Sequence, residues 1–298
     1  MLAVVVFGAV RGVSSLTEDK VAGDAPPTMT SGDAGSTTAL ASAVTTSGGL
    51  TTPVPQVTGH AGPPTRDNPA QVLVIGDSDA GTFGPYLQDV VDDWTVVDVE
   101  LDYVSSTGLA RPDYKVEWPR RLSETLAGSD PDIIVVTFGG NDAQGLSEPC
   151  PNGPDTCDAE FVVGEPTADN AQEWTTEYVR RIREMMNIML EDPDRRVIWV
   201  GIPNDIDSEE VTSRLRLQNE AVHQALEAYP DTIFIDTWGI FDGVNGGRAE
   251  LIVDPRNGEA IPVRAADGFH LNQDGAEILA FTISEKIKGI LQESGADV

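Results

Sequence analysis

Basic residues are scarce in this 298-residue chain: 19 Lys and Arg face 49 Asp and Glu, a formal charge of -30. So anionic a surface argues against nucleic acid as a partner and opposes adhesion to anionic lipid. Only three basic and five acidic residues precede Gln71, so the acidity belongs to residues 71–298. Cysteine is nearly absent. Cys150 and Cys157 sit close together in Pro149-Cys-Pro-Asn-Gly-Pro-Asp-Thr-Cys157. With no histidine nearby they fall short of the four ligands a metal site usually needs. A Pro/Gly/Asn-rich turn between two cysteines suits a small disulfide in an oxidising compartment, with two free thiols as the alternative.

No apolar run is long enough to cross a bilayer. The opening Leu2-Ala-Val-Val-Val-Phe-Gly-Ala-Val10 is too short, has no basic residue before it and is followed by Arg11. Residues 1–16 read as the remnant of a signal peptide or anchor whose charged start lies upstream, against a cytosolic protein with an apolar start. Residues 17–68, rich in Ala, Gly, Thr, Ser and Pro without apolar periodicity, read as a disordered linker. Residues 69–298 then form one domain. There is no internal repeat. An apolar start, a flexible tether and a compact domain suit a protein exported to the outer face of the cytoplasmic membrane or released beyond it.

The domain has five β-branched apolar runs: Val72 to Ile75, Trp94 to Leu101, Ile133 to Phe138, Arg196 to Gly201 and Thr232 to Asp236. Between and after them run helical stripes: Trp174, Tyr178, Ile182, Met186 and Met189; Val211, Leu215, Val222 and Leu226; Leu279, Ile283, Ile287 and Ile290. Strands alternating with helices predict an α/β fold, a three-layer α/β/α sandwich of flavodoxin-like type on a five-stranded parallel sheet.

The stretch Gln71-Val-Leu-Val-Ile-Gly-Asp-Ser-Asp-Ala-Gly81 ends a buried strand on glycine, a carboxylate and a hydroxyl, ahead of a helix predicted from Thr82. Ser78 stands at a strand's carboxyl end, the usual ligand position in open α/β sheets, and reads as a nucleophile. On these residues alone an ordinary strand-turn-helix junction capped by Ser78 is the reading to prefer, and the rest of the chain must make the case for a nucleophile. Three more signatures occur in comparable places: Ser105-Ser-Thr-Gly-Leu109 after the second strand, Gly139-Gly-Asn-Asp142 after the third, and Asp267-Gly-Phe-His270 before the last helix.

This succession resembles the SGNH hydrolases, or GDSL-type esterases, from about Gln71 to the C-terminus. Gly108-Leu-Ala-Arg-Pro-Asp-Tyr114, Trp118-Pro119 and Asn141-Asp-Ala-Gln144 are similar to a bacterial branch known mainly as a domain of unknown function. The resemblance implies a nucleophile at Ser78, an oxyanion hole from the Ser78 and Gly108 N–H groups and the Asn141 side chain, and Asp267 and His270 as the remaining triad members. Asp79 departs from the pattern, which has leucine there. A surface or capping role is expected; an inward carboxylate would raise the basicity of His270.

The residues support the same assignment. A serine hydroxyl needs a base to take its proton and a carboxylate to orient that base. Of three histidines, His60 lies in the linker and His223 sits mid-helix in a surface or boundary position, leaving His270 with Asp267 three residues earlier. An oxyanion needs donors already in place, and glycine backbone and an uncharged asparagine amide suit that purpose. Asp142 is expected to be structural. The loop between Gly145 and Asn170 should border the site. Its carboxylates Glu148, Asp155, Asp158, Glu160 and Glu165 read mainly as solvated charge. Arg111 and Trp118 are candidate substrate contacts, with a salt bridge or packing as the alternative.

The expectation is an exported serine esterase acting on small acyl esters, such as acetyl groups on a surface or extracellular glycan. No metal or organic cofactor is implied, and a monomer with an N-terminal membrane tether is expected. Two alternatives stay open: acyl transfer by the same triad, and a cell-surface glycan-binding module without turnover.

Overall fold

A computed structural model describes residues 62–150, 152–157, 159–204, 208–242 and 249–298. The apolar start, nearly all of the linker, His60 and Asp158 lie outside the described residues. Thr65 and Asn68, at the end assigned to the linker, exchange backbone hydrogen bonds of 2.9 and 3.1 Å.

In chain order the elements are β1 (Ala70–Gly76), α1 (Ser78–Val91), β2 (Val97–Tyr103), α2 (Trp118–Gly128), β3 (Ile133–Thr137), β4 (Leu146–Ser147), β5 (Phe161–Val163), α3 (Ala171–Met189), β6 (Arg196–Val200), α4 (Glu209–Leu226), β7 (Ile233–Ile235), α5 (Thr237–Phe241), β8 (Ile252–Val253), β9 (Ala260–Ile261) and α6 (Gln273–Glu293). Five strands form one parallel sheet in the order β2-β1-β3-β6-β7. The expected α/β sandwich and its five-stranded sheet are observed. β2 starts at Val97 instead of Trp94, because Asp92–Trp94 form a 3-10 turn that closes α1.

Alternation along the buried strands divides the core. Leu73, Ile75, Ile134, Val136 and Trp199 face a layer containing Trp118 and Leu122 of α2, Trp174, Tyr178 and Ile182 of α3, and Val222 of α4. Val72, Val74, Ile133, Val135 and Ile198 face Phe83 and Leu87 of α1 and Ile283 and Ile287 of α6. Each fully buried Ile or Leu contributes about 1.5–3 kcal/mol of transfer free energy. β1 and β3 are covered on both faces, so they read as unbroken apolar runs instead of alternating ones. Side-chain caps fix where helices begin: Ser208 accepts from Val211 N–H at 3.2 Å, and Asn272 accepts from Gly275 N–H at 2.9 Å. α2, which the apolar stripes did not reveal, is capped by Glu117 and carries Pro119 in its first turn.

The two cysteines form a disulfide with Cα atoms 5.7 Å apart. Among the described residues no helix is long and apolar enough to cross a membrane.

Candidate active site

Parallel strands deliver their carboxyl ends to one edge of the sheet, and the four polar signatures lie along that edge. At the end of β1, Asp77 accepts a hydrogen bond from Asp79 N–H at 3.0 Å and so caps α1. With the cap already at Asp77, the helix begins at Ser78, four residues before the predicted start at Thr82. Ser78 itself is not the cap.

The Ser78 Oγ lies 3.1 Å from His270 Nε2. On the far side of the ring, His270 Nδ1 lies 2.7 Å from Asp267 Oδ2. Asp267 Oδ1 also accepts the backbone N–H groups of Phe269 and His270, each at 3.0 Å. Burial pulls the Asp267 carboxyl upward, but the His270 and backbone hydrogen bonds outweigh it and hold the pKa below the usual carboxylate value. An ionised Asp267 can only accept, so Nδ1 carries a proton, and in the neutral ring Nε2 is then the nitrogen whose lone pair faces the serine hydroxyl. The arrangement can take a proton from Oγ and return it.

Asn141 lies in the turn after β3. Its Nδ2 donates to Asp77 Oδ2 at 2.8 Å, and the same oxygen accepts Gly139 N–H at 2.8 Å. One amide proton is thereby fixed; an asparagine amide has a second. Asp77 received no role from the sequence, although a carboxylate placed directly after a fully buried strand was the available signal. Burial first, and then the neighbouring Asp79, push its carboxyl well above the ordinary value.

Gly108 must be glycine for a local reason. A β-carbon there would stand 2.0 Å from Asp142 Oδ1. Asp142 is fully buried and accepts from Leu109 N–H at 2.9 Å, Ala110 N–H at 2.7 Å and Tyr178 OH at 2.7 Å. Burial pushes its carboxyl up to about 6 against the pull of these bonds. Buried Arg181 donates to the Leu109 and Ala110 carbonyls at 2.7 and 3.1 Å and also to the Ser147 carbonyl. The segment after Gly108 is thus held through its N–H groups by Asp142 and through its carbonyls by Arg181. Asp142 has the structural role expected of it; Arg181 was not foreseen, because beyond its local pair with Glu177 at 2.8 Å its partners are backbone carbonyls far away in sequence.

Three expectations need revision. Asp79 does not serve the surface or the cap: its Oδ2 is buried over Gly139, because the first turn of α1 directs it inward. Trp118 is core and not a substrate contact. It is 1% exposed, donates from Nε1 to Thr107 Oγ1 at 3.1 Å and packs edge-on against Phe138 with ring centres 5.3 Å apart. Arg111 pairs with both Asp113 oxygens at 2.8 and 2.6 Å and lies over the Phe161 ring, so the salt bridge is the alternative realised. His223 is exposed, its ring 4.1 Å from that of Phe234, as its helical position suggested. The cysteine-bearing loop folds as the β4–β5 hairpin, docked through Ser147 N–H on the Ala110 carbonyl at 3.0 Å.

The family described as "Protein of unknown function (DUF459)" matches residues 71–286, which bears out the resemblance of the four blocks. No curated protein sequence matches the chain. Among solved structures, a gut microbial diltiazem-metabolizing enzyme aligns with a TM-score of 0.51 at 14% identity, over 77% of this chain and 48% of that one. An acetyl xylan esterase from Geobacillus stearothermophilus aligns with a TM-score of 0.46 at 19% identity, over 73% and 94% of the two chains. A psychrotrophic esterase from Pseudoalteromonas sp. aligns with a TM-score of 0.46 at 13% identity, over 74% and 98%.

Proposed function

The chain belongs to the DUF459 family, and on that premise we propose that it is an exported serine esterase that hydrolyses small acyl esters. The observation that carries this reading is the continuous array from Ser78 Oγ through His270, at 3.1 Å, to Asp267, at 2.7 Å. His270 Nε2 takes the hydroxyl proton as Oγ attacks the ester carbonyl carbon, and the carbonyl π pair moves onto oxygen. Asp267 stays ionised and stabilises the imidazolium. The oxyanion is held by the Ser78 and Gly108 N–H groups and by the second amide proton of Asn141. Collapse expels the alcohol, which leaves with the proton from His270, and the acyl group remains on Ser78. Water then attacks the acyl-enzyme with His270 again acting as base, and the acid is released. None of these steps calls for a metal or an organic cofactor.

Acetyl esters on a surface or extracellular glycan are the substrate class we favour. The Cys150–Cys157 disulfide supports an oxidising compartment. The composition of residues 17–68 supports a tether that keeps the domain at the membrane's outer face or releases it.

The test is burst hydrolysis of p-nitrophenyl acetate by the full chain, with intact-mass detection of an acetyl adduct, in the parent, Ser78→Ala and His270→Ala. An adduct mapping to Ser78, with turnover lost in both variants, is expected. A folded parent that forms no adduct with any of a broad panel of acyl esters would overturn the esterase reading in favour of a glycan-binding module.

A further inference from the structure

Asp79 is the residue directly after Ser78, and its Oδ2 is buried with no hydrogen-bond partner among the described residues. This oxygen lies 1.8 Å from where a β-carbon on Gly139 would stand, and Asp77 Oδ2 lies 2.9 Å from the same point. Glycine at 139 is what leaves room for both. Two carboxylates this close, Asp77 fully buried and Asp79 with a buried oxygen, cannot both ionise without large repulsion, so the pair retains a proton.

Hydrogen bonding decides which residue carries it. Asp77 accepts from three N–H donors: Asp79 N at 3.0 Å, Gly139 N at 2.8 Å and Asn141 Nδ2 at 2.8 Å. That set suits a carboxylate. Asp79 Oδ2 accepts from none, and a buried charge without donors is costly. Burial raises the Asp77 carboxyl as well, but a carboxylate matches its three donors better than a protonated acid does, so the shared proton is assigned to Asp79. The charged groups around it are Asp77 on the turn after β1, and Asp267 and Arg264 on the segment between β9 and α6. Burial is the largest influence and raises the Asp79 carboxyl; Arg264 opposes this and Asp267 adds to it.

We propose that Asp79 is a positioning residue: held as a neutral carboxyl, it leaves Asp77 as the one anion of the pair and so keeps the Asn141 amide fixed. Its kinetic consequence rests on the esterase reading; its structural consequence does not. Ionising Asp79 would set a second charge beside Asp77, loosen the Asn141 amide and add negative charge where an oxyanion must form. The loss should fall on kcat, with KM unchanged. It should be smaller than the two to three orders of magnitude that deleting an oxyanion donor costs, about tenfold.

The experiment uses the full chain with p-nitrophenyl acetate from pH 5 to 9, comparing the parent with Asp79→Asn and Asp79→Leu. The parent is expected to lose kcat on the alkaline side, and both neutral variants are expected to hold it. In parallel, NMR tracks the Asn141 side-chain amide of the parent, identified by its absence in Asn141→Ala. Its shift should titrate with a midpoint above the ordinary carboxylate range in the parent and not in Asp79→Asn, a readout that needs no turnover; a titration that persists in Asp79→Asn would place the proton on Asp77 and overturn the proposal. Superimposable pH profiles in parent and variants, or an Asn141 amide with no such midpoint, would overturn the proposal. If the parent hydrolyses no ester, the esterase reading fails on its own and the NMR titration alone decides the placement of the proton.

Discussion

His270 Nε2 stands 3.1 Å from Ser78 Oγ although 192 positions separate the two residues. Asp267, by contrast, is three positions from His270, so its contact with the ring is local. Asp267→Asn keeps the side-chain size but removes the charge that fixes the ring tautomer. A fall in kcat of about two to four orders of magnitude is expected in p-nitrophenyl acetate hydrolysis. The Asp267 side chain is 38% exposed, so the thermal unfolding midpoint should move little.

Asn141→Ala removes a donor and leaves Asp77 with one N–H bond fewer. An oxyanion donor acts on the transition state and not on the bound ester. The variant should therefore lose about two to three orders of magnitude in kcat with KM nearly unchanged. A rise in KM with kcat preserved would instead assign Asn141 to ground-state binding.

Asp142 gives the stability curve an unusual sign. Burial raises its carboxyl from 3.8 to about 6 in the folded protein. The native state then binds the proton more tightly than the unfolded chain, so stability falls as pH rises between these two values. The size is on the order of 3 kcal/mol. Urea unfolding from pH 4 to pH 7 should show this decline in the parent and a shallower one in Asp142→Asn. That variant should also be less stable at pH 4, because an amide cannot accept all the hydrogen bonds from Leu109, Ala110 and Tyr178.

The disulfide spans a sequence separation of seven. Closing so short a loop in the unfolded chain is worth about 2.5 kcal/mol in the chain-entropy account. The double variant Cys150→Ser/Cys157→Ser should unfold several degrees lower on a thermal scan. Ester hydrolysis below that transition should be retained, since neither cysteine belongs to the Ser78–His270–Asp267 array.

Local pattern made much of this protein legible before any fold was known. Buried parallel strands must be apolar on both faces, which is why Val72 to Ile75 and Ile133 to Val136 announced themselves. Once strands alternate with helices, their carboxyl ends share one edge, so chain order set the places of Ser78, Asn141 and His270. The sequence by itself therefore determined the sheet, the layers and the neighbourhood of the candidate site. Only the tertiary structure decided which neighbours the polar side chains meet. Trp118 could serve a surface or a core until α2 packed it against Phe138. Asp79 could face water until the first turn of α1 set it over Gly139. Arg181 could pair with Glu177 alone until the fold brought it the Leu109 and Ala110 carbonyls, some seventy positions away. Periodicity records whether a position is buried, because burial repeats with the local backbone. It does not record what lies opposite, because that depends on contacts between segments tens of residues apart.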